Sequence, residues 1–115
     1  MQRLFVLMFW LAALFAFVMA VIPAPPSLAS DKIEHMLAFS VLAALSLLAY
    51  PRLPAWKIFP AFAMFGGAIE LIQALPIVGR DGDWFDWLAD LAAAGMVLVL
   101  GSGLRRVYRR AAASV

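Results

Sequence analysis

The chain has 115 residues, 66% of them hydrophobic and only 14% charged, with a net charge of +2. A soluble domain carries about 25% charged residues, so this composition points away from a soluble enzyme and to a single small integral membrane domain. There is no cysteine, which excludes a disulfide framework and a thiolate metal site.

The first apolar segment is Leu4–Ile22, 19 residues without a charge. It is long enough to cross a hydrocarbon core of about 30 Å. "PAPPS" then ends it, since proline cannot continue a helix. A competing reading is a cleaved signal peptide, with "SLA" before Ser30 as the small-residue cleavage site. The apolar core is longer than the roughly 7–15 residues usual in a signal peptide, and cleavage would leave the orientation of the remaining helices unchanged.

The second segment runs from about Ile33 to Tyr50 and stops at "YPRLP". The third runs from about Trp56 to Leu75 and stops at "LPIVGRDGD". The fourth runs from about Trp84 to Leu104 and ends in "RRVYRR". Their apolar residues are near continuous and too long for strands, so helices are predicted. Trp56, Trp84 and Trp87 suit interfacial positions. The charge-free runs inside these segments are short: Met36–Pro51, Ile58–Ile69 and Leu91–Leu104. They reach a spanning length only if their polar ends belong to the helices. The expected architecture is therefore an all-α, four-helix transmembrane bundle. Residues 1–30 form the first helix and a Pro-rich loop, 31–104 a three-helix core and 105–115 a basic cytoplasmic tail.

Basic residues set the orientation. With the N-terminus in the cytoplasm, Arg3, Arg52, Lys57, Arg105, Arg106, Arg109 and Arg110 all lie inside, and only Lys32 and Arg80 lie outside. The expected topology is N-in, C-in, in the cytoplasmic membrane, with the basic "RRVYRR" as an anchor at an anionic leaflet.

In this topology all seven acids fall at the outer face. "DKIEH" opens helix two with Asp31, Lys32, Glu34 and His35, and Asp31 is a candidate N-cap. Glu70 lies five residues before Leu75, about 7–8 Å below the outer end of its helix, and Gln73 stands one turn on. Asp86 and Asp90 share a face of helix four. One pocket lined by His35, Glu70, Gln73, Asp86 and Asp90, with Asp31 beside it and Lys32 and Arg80 at its rim, is geometrically allowed. Gly66, Gly67 and "AAAG" (Ala92–Gly95) would let helices approach closely.

Ionisable groups within a span are expensive and mark functional sites by default. The bland readings are helix-dipole capping for Asp83, Asp86 and Asp90 and a hydrogen-bonded interfacial role for His35. Glu70 fits neither, being neither a cap nor at an interface. His35 and Glu70 are the candidate acid/base pair, and Lys32 and Arg80 the candidate phosphate contacts. Carboxylates with one histidine also suit a hard divalent cation such as Mg²⁺ or Mn²⁺, although no dense ligand motif identifies a metal. A third possibility is an interhelical polar network that only fixes packing. Nucleic-acid binding has no support beyond the short basic tail, and no polar path continues inward as a transporter needs.

The ordered motifs "DKIEHMLAFSVLA" and "GGAIELIQALPIVGRDGDWFDWLADLAAAGMVLVLG" resemble the VanZ-like family, typified by a glycopeptide-resistance accessory protein. Asp31, Lys32, His35, Glu70, Gln73, Gly79, Arg80, Asp86, Asp90 and Gly95 fall on its pattern, over about Asp31 to Gly101. The resemblance implies a small multi-pass bacterial membrane protein of the cell envelope. For some members it also implies resistance to teicoplanin-type antibiotics, but it supplies no established reaction. The chain departs from the pattern at Asp90, where members often carry Asn, and by the extra acids Asp81 and Asp83. Both make the pocket more anionic. The expected partners are the bilayer and an envelope lipid or cell-wall precursor headgroup.

Overall fold

The computed structural model describes residues 1–22, 30–79 and 82–114, with Asp31 described for its backbone only. The "PAPPS" break, the "SLA" cleavage spacing, Arg80 and Asp81 lie outside the described residues. Four helices follow in chain order: α1 (Gln2–Val21), α2 (Asp31–Ala49), α3 (Ala55–Gln73) and α4 (Trp84–Ala113). There is no strand among the described residues. Each helix is long and apolar enough to cross a membrane.

The helices run up, down, up, down. Gln2 Nε2 at the start of α1 donates to the Ala49 carbonyl at the end of α2. Gln73 Nε2 at the end of α3 donates to the Ala20 carbonyl near the end of α1. Lys32 at the start of α2 pairs with Asp86 at the start of α4. Every described carboxylate thus lies toward one end, called here the acid end. Arg105, Arg106, Arg109 and Arg110 lie toward the other, the arginine end.

Local chemistry sets the helix starts. Ser30, rather than Asp31, is the N-cap of α2, its hydroxyl accepting from the Ile33 N–H. Asp83 caps α4 by accepting from the Phe85 N–H. Each cap satisfies a backbone donor that the helix leaves without an internal partner. The basic stretch predicted as a tail is instead helical, because α4 continues to Ala113. Its arginines and alanines are good helix formers.

The core is formed by Phe39, Leu42, Ala43, Leu47, Ile58, Phe62, Ile69, Ala94 and Leu98. Ala43 and Ala94 are fully buried, the small side chains that close helix packing requires. Phe39 stacks obliquely on Phe62 and Phe65, and Phe65 on Phe17. That aromatic row joins α1, α2 and α3, so the first helix is part of the bundle. The outward faces are apolar, including Leu7, Leu14, Phe15, Met64, Met96 and Val99. In water such a surface is an aggregation liability; against acyl chains it is a solvated one.

Gly66 and Gly95 accommodate aromatic rings rather than a facing backbone. A Cβ at Gly66 would stand 3.0 Å from Trp87 and 3.2 Å from Phe39, and one at Gly95 would stand 3.3 Å from Phe59. Trp56 and Trp84 are exposed. Trp87 is half-buried and donates to the Ala63 carbonyl across the α3–α4 contact, 3.0 Å away, so it is a packing residue. Its neighbour at ring-edge distance is Trp84.

A candidate His–Glu–Asp centre

Three helices bring three ionisable side chains to one point at the acid end. His35 comes from the second turn of α2, Glu70 from the last turn of α3 and Asp90 from the second turn of α4. One side-chain donor or acceptor atom from each lies within 4.8 Å of the others. Glu70 and Asp90 are only 3% and 2% exposed. Isolated charges at such depth are costly, so the clustering matters more than the count.

Exposure rises stepwise toward the surface. Asp90 is buried. His35 Nδ1 stands 3.9 Å from Asp90 Oδ2, with the imidazole side chain 13% exposed. Asp86, one turn nearer the start of α4, meets Lys32 Nζ at 3.5 Å, and the lysine is half exposed. Asp86 also lies in the first helical turn, where the helix dipole favours a negative charge. The set is thus a buried centre under a charged rim.

Glu70 has a second role. Its Oε2 accepts the backbone N–H of Asp83 at 2.8 Å, just ahead of α4. Backbone donors at a helix start are natural anion partners. The bond pins the loop before α4 to the end of α3. Gly82 makes this approach possible, since a Cβ there would stand 3.0 Å from the Glu70 carbonyl oxygen. Gly79 turns the chain with φ +66, a conformation that glycine adopts without strain.

The geometry can do two things chemically. A carboxylate that orients one imidazole nitrogen leaves the other to take or give a proton. Alternatively, the two carboxylates and the imidazole offer one oxygen–nitrogen ligand set to a divalent cation. Ligands held at about 2.0–2.2 Å from a small cation stand roughly 3–4 Å apart. A separation of up to 4.8 Å would need only a small inward adjustment.

Of the residues expected at the site, His35, Glu70 and Asp90 come together, and Lys32 and Asp86 form its rim. Gln73 is buried but reaches away from the centre, to the Ala20 carbonyl at 2.8 Å. Arg80 lies outside the described residues, and so does any contact of the Asp31 side chain. The sequence reading missed the Asp83 amide. Its only signal was the glycine–acid run "GRDGD" ahead of an aromatic helix start, which does not say what the amide faces. No family model, no curated protein and no solved structure matches the chain.

Proposed function

We propose that this chain is a four-span protein of the cytoplasmic membrane, N-in and C-in, related to the VanZ-like proteins. In this reading the His35–Glu70–Asp90 centre recognises or acts on the headgroup of an envelope lipid or cell-wall precursor at the outer leaflet. The observation that carries it is the convergence of one imidazole and two carboxylates from three helices within 4.8 Å. The centre lies at the end of an apolar bundle, beneath the exposed Lys32. Lipid headgroups reside at that depth, and Lys32 offers their phosphate a cation. His35 and Glu70 then serve as the acid/base residues, Asp90 orients His35, and Asp86 holds Lys32 in place.

The experiment is reconstitution of the full chain in nanodiscs made from bacterial polar lipid extract doped with polyprenyl-phosphate-linked precursor. Bound and altered lipids are identified by mass spectrometry. Wild type should enrich or convert one headgroup class, and His35→Gln and Asp90→Asn should lose this while melting normally. Unchanged lipid profiles in both variants would sink the reading.

Two other readings have their own support. The Asp83 N–H to Glu70 bond favours a structural role, in which the polar residues fix helix register and a partner protein is the ligand. The compact oxygen–nitrogen set favours a metal-assisted hydrolase or transferase. In that case His35, Glu70 and Asp90 would hold a divalent cation able to polarise a phosphoryl oxygen. Thermal stabilisation by Mn²⁺ or Mg²⁺ that disappears in Asp90→Asn distinguishes this case from the other two.

A further inference from the structure

The arginine end carries a second feature, independent of the acid end. A groove of about 930 Å³ opens between α4 and the turn joining α2 to α3. Five arginines and no acid line it: Arg52, Arg105, Arg106, Arg109 and Arg110. Two of them are occupied by the protein. Arg105 donates to the carbonyls of Leu47, Tyr50 and Leu53, and Arg109 to that of Pro51. Arg52, Arg106 and Arg110 are exposed and have no protein partner among the described residues.

The stacking is unfavourable by itself. Arg105 with Arg109, and Arg106 with Arg110, are like charges four residues apart on one helix, which repel. The groove is basic at one end only. Toward mid-span its walls are Phe59, Leu98 and Val99. Between the two halves the Ser102 hydroxyl oxygen is buried with no hydrogen-bond partner among the described residues. From Gly95 to Arg106 the α4 wall rises about 17 Å, close to half of a hydrocarbon core. Exposed Trp56 stands at the mouth, at the level where indoles favour the headgroup region.

We propose that this groove is a specific binding site for one anionic glycerophospholipid of the leaflet at the arginine end. Its phosphate sits among Arg52, Arg106 and Arg110. One acyl chain lies against Phe59 and Val99. The charge pattern chooses the occupant. A free phosphate would leave the apolar half bare, and a zwitterionic lipid would bring a cation to an arginine cluster that holds no acid.

The test is native mass spectrometry of the full chain in mild detergent titrated with dioleoylphosphatidylglycerol, with dioleoylphosphatidylcholine as control. Wild type should retain one phosphatidylglycerol and no phosphatidylcholine. The Arg106→Gln/Arg110→Gln variant should bind weaker by about five-fold for each arginine removed. Val99→Trp fills the apolar half without changing charge and should weaken binding comparably. Arg3→Gln, at the same end but outside the groove, should leave binding unchanged. Both groove variants alter exposed residues, and circular dichroism checks that they fold. Unsaturable binding, reduced equally by Arg3→Gln and insensitive to Val99→Trp, would overturn the site in favour of general attraction to a charged leaflet. Displacement of the lipid by millimolar inorganic phosphate would overturn the acyl-chain half.

Discussion

The Asp83 backbone N–H donates to Glu70 Oε2 at 2.8 Å, so a buried carboxyl group in the last turn of α3 holds the residue that caps α4. Glu70 therefore closes the α3–α4 hairpin as well as contributing to the polar centre. The two roles separate by substitution. Glu70→Gln keeps an acceptor oxygen for the amide, and should lower stability by no more than about 1 kcal/mol, the range of single hydrogen bonds in membranes. Glu70→Ala removes the acceptor from a part-buried donor and truncates a buried side chain, and should cost about 1–3 kcal/mol. Thermal melting in detergent checks both, and equal losses would show that packing rather than the bond matters.

The two adjacent glycines of α3 should respond with opposite signs. A Cβ at Gly66 presses on Trp87 and Phe39, whereas one at Gly67 meets Trp87 only at 3.6 Å. Trp87 has little room to move, because its indole is bonded to the Ala63 carbonyl. Gly66→Ala should therefore destabilise by about 1–3 kcal/mol. Gly67→Ala should gain up to about 1 kcal/mol from helix propensity. Melting curves of the pair decide the matter without reference to function.

Arg105 ties the end of α2 to α4 by donating to the Leu47, Tyr50 and Leu53 carbonyls. The last carbonyls of a helix have no internal donor, and a charged donor strengthens each bond. Arg105→Gln should lower stability by about 1.5–3 kcal/mol, while Arg106→Gln, on an exposed neighbour, should change it by less than about 0.5 kcal/mol. Chemical unfolding of both variants in mixed micelles provides the comparison.

The Lys32–Asp86 pair is 3.5 Å apart, with the lysine half exposed. Such pairs contribute about 0–1 kcal/mol. Lys32→Gln should therefore leave the melting temperature within about 5 °C, and any large loss of lipid recognition in that variant would be a binding effect. A fall in stability equal to that of Glu70→Ala would make the rim structural.

Topology is open to direct labelling because the chain has no cysteine. Ile77 is exposed in the turn between α3 and α4, and Ser114 ends α4. With N-in, C-in insertion, Ile77→Cys in intact cells should react with a membrane-impermeant maleimide, and Ser114→Cys should react only after lysis. The reverse pattern would place the acid end in the cytoplasm.

How far the fold was legible depends on which property is asked for. Apolar runs and proline breaks are local, so the number, order and approximate limits of the four helices could be read directly from them. The antiparallel order also brought the acids to one end by simple alternation. Even the pairing of α2 with α4 has a trace in the chain: His35 to Tyr50 and Asp90 to Arg105 are both 15 residues apart, about 22 Å along a helix. The structure joins these residues at both ends. The helical continuation past Leu104 was less legible, because a run of arginines reads equally as a solvated tail.

The site itself divides in the same way. That Glu70, His35 and Asp90 are the anomalous residues of an apolar chain follows from the sequence alone, since an ionisable group in hydrocarbon needs a reason wherever it points. Which of them meet depends on the rotation of each helix about its axis, and packing sets that rotation. Phe39 and Trp87 wedged over Gly66 are part of it. Gln73, one turn from Glu70, therefore belongs to α1 through the Ala20 carbonyl, while Asp83, thought of as a surplus acid, supplies Glu70 with its backbone donor. Composition determined that the chain folds as apolar helices with polar ends; only the tertiary structure decided which polar groups face each other, because hydrogen-bond partners at those ends come from segments distant in sequence.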